Sequence, residues 1–169
     1  CFAEEKKSGT LEILITQPIS IFQIIISKFL AASFLAVLTI LPTLIYYLSV
    51  SQMGEIPGNI DHPTTIGGYL GLILLSITFV AIGIFASSLS KNQVIAFLLA
   101  LFFNFLIYLG ISYMAVFVGN PLDYYLIKLS MVDHFNALQR GIIDSRDIIY
   151  FISIIFLTLY LTKITLKPN

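Results

Sequence analysis

Few side chains in this 169-residue chain are of a type that makes or breaks bonds: two histidines, one cysteine and nine carboxylates spread along its length. His62 and His134 fall in separate polar loops, and no HExxH helix, GxSxG elbow or Cys/His cluster occurs. Asp133 and His134, with Asp144, have the donor types of a metal site, but loop residues of these types are ordinarily just solvated, so no metal is expected. Without a nucleophile, paired acids or a metal cluster, an enzyme is disfavoured and no catalytic residue is assigned. A GxxxxGK[ST] loop is also missing, so the chain is not expected to hold ATP itself, and no cofactor is expected. What remains is the charged run Glu4-Glu-Lys-Lys-Ser-Gly-Thr-Leu-Glu12, whose chemistry is recognition.

The rest of the chain must position that run, and its composition says how. Hydrophobic residues make up 58% and charged ones only 11%, with a mean hydropathy of +0.97. A soluble domain carries roughly a quarter charged residues, so the chain reads as an integral membrane protein in contact with lipid. Net charge is zero and no basic run is interleaved with aromatics, so nucleic acid is not an expected partner. Cys1 has no second cysteine to pair with. The chain opens on Cys1 without a basic segment and apolar core, which reads as the absence of a signal peptide and as a natural N-terminus lying further upstream.

A helix needs about 20 apolar residues to cross roughly 30 Å of hydrocarbon. Four windows qualify: about 29–50, 69–89, 94–118 and 148–166, the last with Lys163 reaching back to the interface. The expected fold is therefore all-α, a polytopic helical bundle, with residues 1–28 as an interfacial segment and 29–169 as the membrane domain. Six basic residues (Lys6, Lys7, Lys28, Lys91, Lys163, Lys167) fall on one side and three (Lys128, Arg140, Arg146) on the other, which predicts cytoplasmic N- and C-terminal segments. Tyr46, Tyr47, Tyr69, Tyr108, Tyr113 and Tyr150 are expected at the outer interface. No span carries an ionisable residue in its core, against a proton-coupled carrier, and Asn104 is expected to hydrogen-bond between helices.

Local signals refine this outline. Ser20-Ile-Phe-Gln23 has capping-box spacing and starts a helix near Ile21, and Pro42 kinks the first span. Ser90–Gln93 is short enough to force an antiparallel hairpin. Ala32/Ala36, Gly67/Gly71 and Gly83/Ser87 have the four-residue spacing of close helix packing. After Asn120-Pro121, Leu122, Tyr125, Leu126, Leu129, Val132, Phe135 and Leu138 predict an amphipathic helix on the outer surface, and Asp144 or Ser145 caps the last span with Asp147 in its first turn. In the charged run, Thr10 is expected to cap a short helix with Glu12 near its positive end, Leu11, Leu14 and Ile15 forming an apolar stripe and Pro18 ending it. Such a helix suits a groove on a soluble domain or the membrane surface equally.

The run Glu4–Glu12, followed by Leu14, Pro18, Ser20 and Lys28-Phe-Leu-Ala-Ala, resembles the cytoplasmic signature of type-2 ABC exporter permeases. Phe2-Ala-Glu-Glu-Lys-Lys-Ser-Gly-Thr-Leu-Glu12, Pro57–Asp61, Ala81–Leu89 and Arg140–Asp147 are similar to the permease subunit associated with bacterial gliding motility. That resemblance implies six spans, the first two upstream of Cys1, in the bacterial inner membrane. It implies a second permease subunit and a nucleotide-binding ATPase subunit as partners, with Glu4, Glu5, Gly9, Thr10, Leu11 and Glu12 forming the coupling helix between them. The expected function is a permease that couples ATP hydrolysis in that partner to substrate movement, supporting motility or secretion. The alternative is a membrane anchor of such a machine that transports nothing.

Overall fold

The computed structural model describes residues 1–53, 61–118 and 122–167, and of the side chains within that range it leaves out those of Ile15 and Leu122. Glu55, most of the Pro57–Asp61 segment and Asn120-Pro121 therefore lie outside the described residues. Among those described, every regular element is helical. Four stretches are long and apolar enough to cross a membrane: Ile21–Met53, His62–Leu89, Gln93–Val118 and Ser145–Leu166. Each begins earlier than its charge-free window, by eight, seven, one and three residues in turn (29 − 21, 69 − 62, 94 − 93, 148 − 145), because caps and not charges set where a helix starts.

The first stretch is α3 (Ile21–Ile40) followed by α4 (Thr43–Met53), interrupted at Leu41-Pro42. The Ser20 hydroxyl accepts from the Gln23 amide (3.3 Å) and the Gln23 side chain accepts from the Ser20 amide (3.0 Å), completing the capping box. At Pro42 the missing N–H removes the ladder bond to the Leu38 carbonyl, and next to the break the Thr43 hydroxyl donates to the Ile40 carbonyl at 2.6 Å.

Helix α5 (His62–Leu89) is the centre of the bundle, packed against α1 (Phe2–Ser8), α3, α6 (Gln93–Phe105), α9 (Met131–Gln139) and α10 (Ser145–Leu166). Its turn to α6 makes the expected hairpin, with the Asn92 side chain accepting from the Val94 amide at 2.9 Å. Leu106–Gly110 form a π-helical turn between α6 and α7 (Ile111–Val118). Tyr108 is half-buried and packs edge to face on Phe79 (centroids 5.8 Å). One expectation fails along this stretch: the Asn104 Oδ1 is buried without a hydrogen-bond partner among the described residues.

The predicted outer helix is two helices, α8 (Leu122–Leu129) and α9, broken at Ser130, whose ψ of 129° is extended. Nor does α9 simply rest on a surface: Met131 and Leu138 are fully buried with Leu75 of α5 and Phe151 of α10. The small pair Gly67/Gly71 is what admits α9. A Cβ at Gly67 would stand 2.2 Å from the Leu138 carbonyl oxygen, and one at Gly71 3.2 Å from the Leu138 Cβ. Gly83, by contrast, has open space around it, so its spacing with Ser87 marks no close approach. The Asp144 side chain caps α10 by accepting from the Arg146 amide at 2.9 Å.

Gly67→Ala is expected to destabilise the folded protein by about 1–3 kcal/mol, since backbone and not a yielding side chain meets the new methyl. Gly83→Ala should be neutral or mildly stabilising. Thermal unfolding of the detergent-solubilised protein measures both.

Candidate functional site

The charged run folds as an elbow: α1 and α2 (Thr10–Thr16) joined by Gly9, which ends one helix and precedes the other. Gly9 has φ of 73°, a left-handed conformation that costs a residue with a Cβ roughly 1 kcal/mol or more. Thr10 does not cap α2. It is the first helical residue, and its hydroxyl instead meets the Ser8 hydroxyl at 2.8 Å.

Both arms of the elbow turn their apolar side inward. Phe2 and Ala3 of α1 are buried, and Leu11 joins Phe2, Ile24, Ile25, Ala81, Leu159 and Leu166 in one core cluster with Leu14 packed against it. Burying Phe2 and Leu11 is worth about 2 kcal/mol apiece. Polar bonds fix the same face. Glu5 pairs with Lys28 of α3, whose ammonium also lies 5.3 Å from the Phe2 ring centroid. Lys6 donates to the Ser88 carbonyl in the last turn of α5, the negative end of that helix. Burial, and then the nearby positive charge of Lys91, lower the pKa of Lys6 below the ordinary lysine value. The Ser88 hydroxyl in turn meets Thr165 of α10 at 2.7 Å. The elbow is thereby bonded to α3 and α5, and through Ser88 to α10.

The six residues expected to meet a partner divide on this geometry. Glu4, Gly9, Thr10 and Glu12 are exposed, whereas Leu11 is buried and Glu5 is engaged with Lys28. Leu11 and Leu14, two residues of the apolar stripe, are occupied by the chain's own core, so the outward surface of the elbow is its polar side. Glu4, Lys7 and Ser8 there line a groove of about 420 Å³ with Asn92, Gln93 and Val94 of the α5–α6 turn. On α2, Ile13 stands out at 63% exposure beside Glu12. Lys7 and the α5–α6 turn were not expected from the sequence to share a surface with Glu4; only the fold brings them together.

At the opposite end of α5 and α10 lies a polar cluster that the sequence pointed to wrongly. His134 engages neither Asp133 nor Asp144. Its Nδ1 is 2.6 Å from the Asp147 carboxylate, its Nε2 is 2.9 Å from the Lys128 carbonyl, and its ring stacks on Tyr150 with centroids 4.0 Å apart. The Tyr150 hydroxyl donates to the Leu129 carbonyl at 2.6 Å. The signal for Asp147 was its place in the first turn of α10, which fits a helix N-terminus equally well and so hid the histidine. His62 is elsewhere, at the start of α5, bonded to Tyr47.

Four helices long and apolar enough to cross a membrane define a polytopic membrane protein. The model of the ABC-2 family transporter proteins matches residues 1–164, and the chain belongs to that family. It is thus a membrane component of an ABC transporter, in a family that implies an ATPase partner and is not itself catalytic. No curated protein and no solved structure matches the chain.

The Glu5–Lys28 bond is expected to be a strut. Lys28→Met strands a half-buried carboxylate and should cost more than the double change Glu5→Gln with Lys28→Met, with a coupling of about 1 kcal/mol in a double-mutant cycle of thermal stability.

Proposed function

We propose that the chain is the permease subunit of an exporter-type ABC complex of the kind associated with gliding motility, and that its α1–α2 elbow couples it to the ATPase subunit. The elbow end is cytoplasmic in this reading and the membrane is the bacterial inner membrane, as the excess of lysines at that end favours. The observation that carries the reading is the division of the elbow: an inner face bonded to α3 and α5, and an outer face on which Glu4, Thr10 and Glu12 are exposed, Glu4 beside the α5–α6 turn. A lever needs both. A partner that pulls on the outer face moves helices only if the inner face cannot slip, and the Glu5–Lys28 and Lys6–Ser88 bonds resist slipping. Glu5 and Leu11 then transmit, while Glu4, Gly9, Thr10 and Glu12 present and shape the docking surface. A second permease subunit completes the pathway.

The test is co-purification of the ATPase subunit with the full-length protein from solubilised membranes. Glu4→Lys with Glu12→Lys should lower ATPase recovery at least tenfold with unchanged thermal stability, while Glu5→Gln should lower stability first. Full ATPase recovery with the Glu4/Glu12 double variant would remove the elbow from the interface.

A further inference from the structure

A crevice of about 480 Å³ lies between α10, α5 and the α6–α7 segment, with Leu126 and Leu129 of α8 at the end away from the elbow. Along α10 its lining is Tyr150, Ile154, Leu157, Thr158 and Leu161, one stripe at the three- and four-residue spacing of a helix face. The two hydroxyls in that stripe already donate elsewhere. Tyr150 bonds the Leu129 carbonyl, and Thr158 bonds the Ile154 and Ile155 carbonyls at 2.9 and 3.0 Å. The rest of the lining is aliphatic or aromatic, so the crevice suits hydrocarbon. Its dimensions choose among apolar occupants. Tyr150 to Leu161 is eleven residues, about 16 Å of helix axis at 1.5 Å per residue, so 480 Å³ over that length is a cross-section of about 30 Å². A further helix, about 10 Å across, would need about 80 Å². A single polymethylene chain fits. We propose that the crevice holds one acyl chain of a membrane phospholipid, whose phosphate is met at the mouth by Arg146 and Lys128.

The two cations are placed for that role. Arg146 stands one turn before Tyr150 on the same face of α10, where the apolar stripe ends, and Lys128 lies between Leu126 and Leu129 in α8. Both are exposed, and neither is in an ion pair among the described residues. The Lys128 ammonium is 4.7 Å from the centroid of the Tyr124 ring, an amphipathic group of the kind that sits at headgroup level. The carboxylates nearest in sequence are turned to other partners: Asp123 accepts from the Tyr124 amide at 2.7 Å, Asp144 from the Arg146 amide at 2.9 Å, and Asp147 meets His134. Basic side chains at the membrane surface attract a lipid phosphate. A chain in the crevice adds dispersion contacts along three helical walls that an empty slot forfeits. The inference needs only that the chain crosses a membrane and is independent of how the elbow couples.

The test uses full-length protein with its partners, reconstituted in phosphatidylglycerol vesicles that carry a small fraction of the same lipid with a diazirine at the end of one chain. The complex is extracted, washed in detergent to strip loosely held lipid, and irradiated. Label is expected on residues that line the crevice, Ile107 and Leu157 among them, with Ile152 and Phe156 on the exposed face of α10 spared. Leu157→Trp, at a position open enough to accept an indole, should fill the slot and lower crevice labelling roughly fivefold. Lys128→Gln with Arg146→Gln leaves the slot intact and should lower it roughly threefold. Lys163→Gln, near the other end of α10, should leave it unchanged. Label confined to the exposed face, as a further helix seated in the crevice would give, or crevice labelling undiminished in either variant, would overturn the proposal.

Discussion

Hydrocarbon offers no hydrogen bonds, so every backbone carbonyl that a helix fails to satisfy must be met by another protein group. The form of this chain follows from that constraint at each place where a helix is interrupted. Pro42 breaks the first span, and the freed Ile40 carbonyl takes the Thr43 hydroxyl while the Thr43 carbonyl takes the Tyr69 hydroxyl of α5 at 2.9 Å. The end of α5 gives the Ser88 carbonyl to Lys6, and the end of α8 gives two carbonyls to His134 and Tyr150. Among these, only the Thr43 hydroxyl bond is local. The others reach across elements, so the repairs that let the helices break also tie the bundle together.

This gives the two ends of α5 and α10 different characters. At the elbow end the ties are an ion pair, a lysine on a helix terminus and a core of Phe2, Leu11, Ile25 and Leu159. That combination resists shear. At the other end the close crossing of α9 over Gly67 and Gly71 is a tight steric fit, while the adjoining α8 packs against α7 and gives two carbonyls to His134 and Tyr150. Packing as close as that of α9 has few intermediate positions.

Much of the architecture was legible in the residues. Spans are legible because hydropathy acts on composition over some twenty positions, and caps because Ser20–Gln23 and Asp144 bond to backbone three or fewer residues away. The family signature in Glu4–Glu12 was equally local. Other features failed for an identifiable reason. Thr10 has the residue type of a cap, but Gly9 in the left-handed region takes the cap position and Thr10 falls one residue inside the helix, where its hydroxyl meets that of Ser8. The amphipathic pattern from Leu122 to Leu138 was right in period and wrong in continuity: Ser130, a residue type that favours helix starts, takes an extended ψ and opens α9.

The sequence by itself determined that the chain crosses a membrane in helices, where those helices lie to within about two turns, and that Glu4–Glu12 is its densest run of charge. Tertiary structure alone decided which of those charges remain outside. Glu4 and Glu5 are identical in local context, yet one is exposed and the other pairs with Lys28, twenty-three residues on. It likewise decided that His134 belongs with Asp147 and not with its neighbour Asp133. The reason is the same in both cases: hydropathy and capping act over a few turns of one helix, whereas the partner of a charged side chain is set by which distant helix the core brings alongside it.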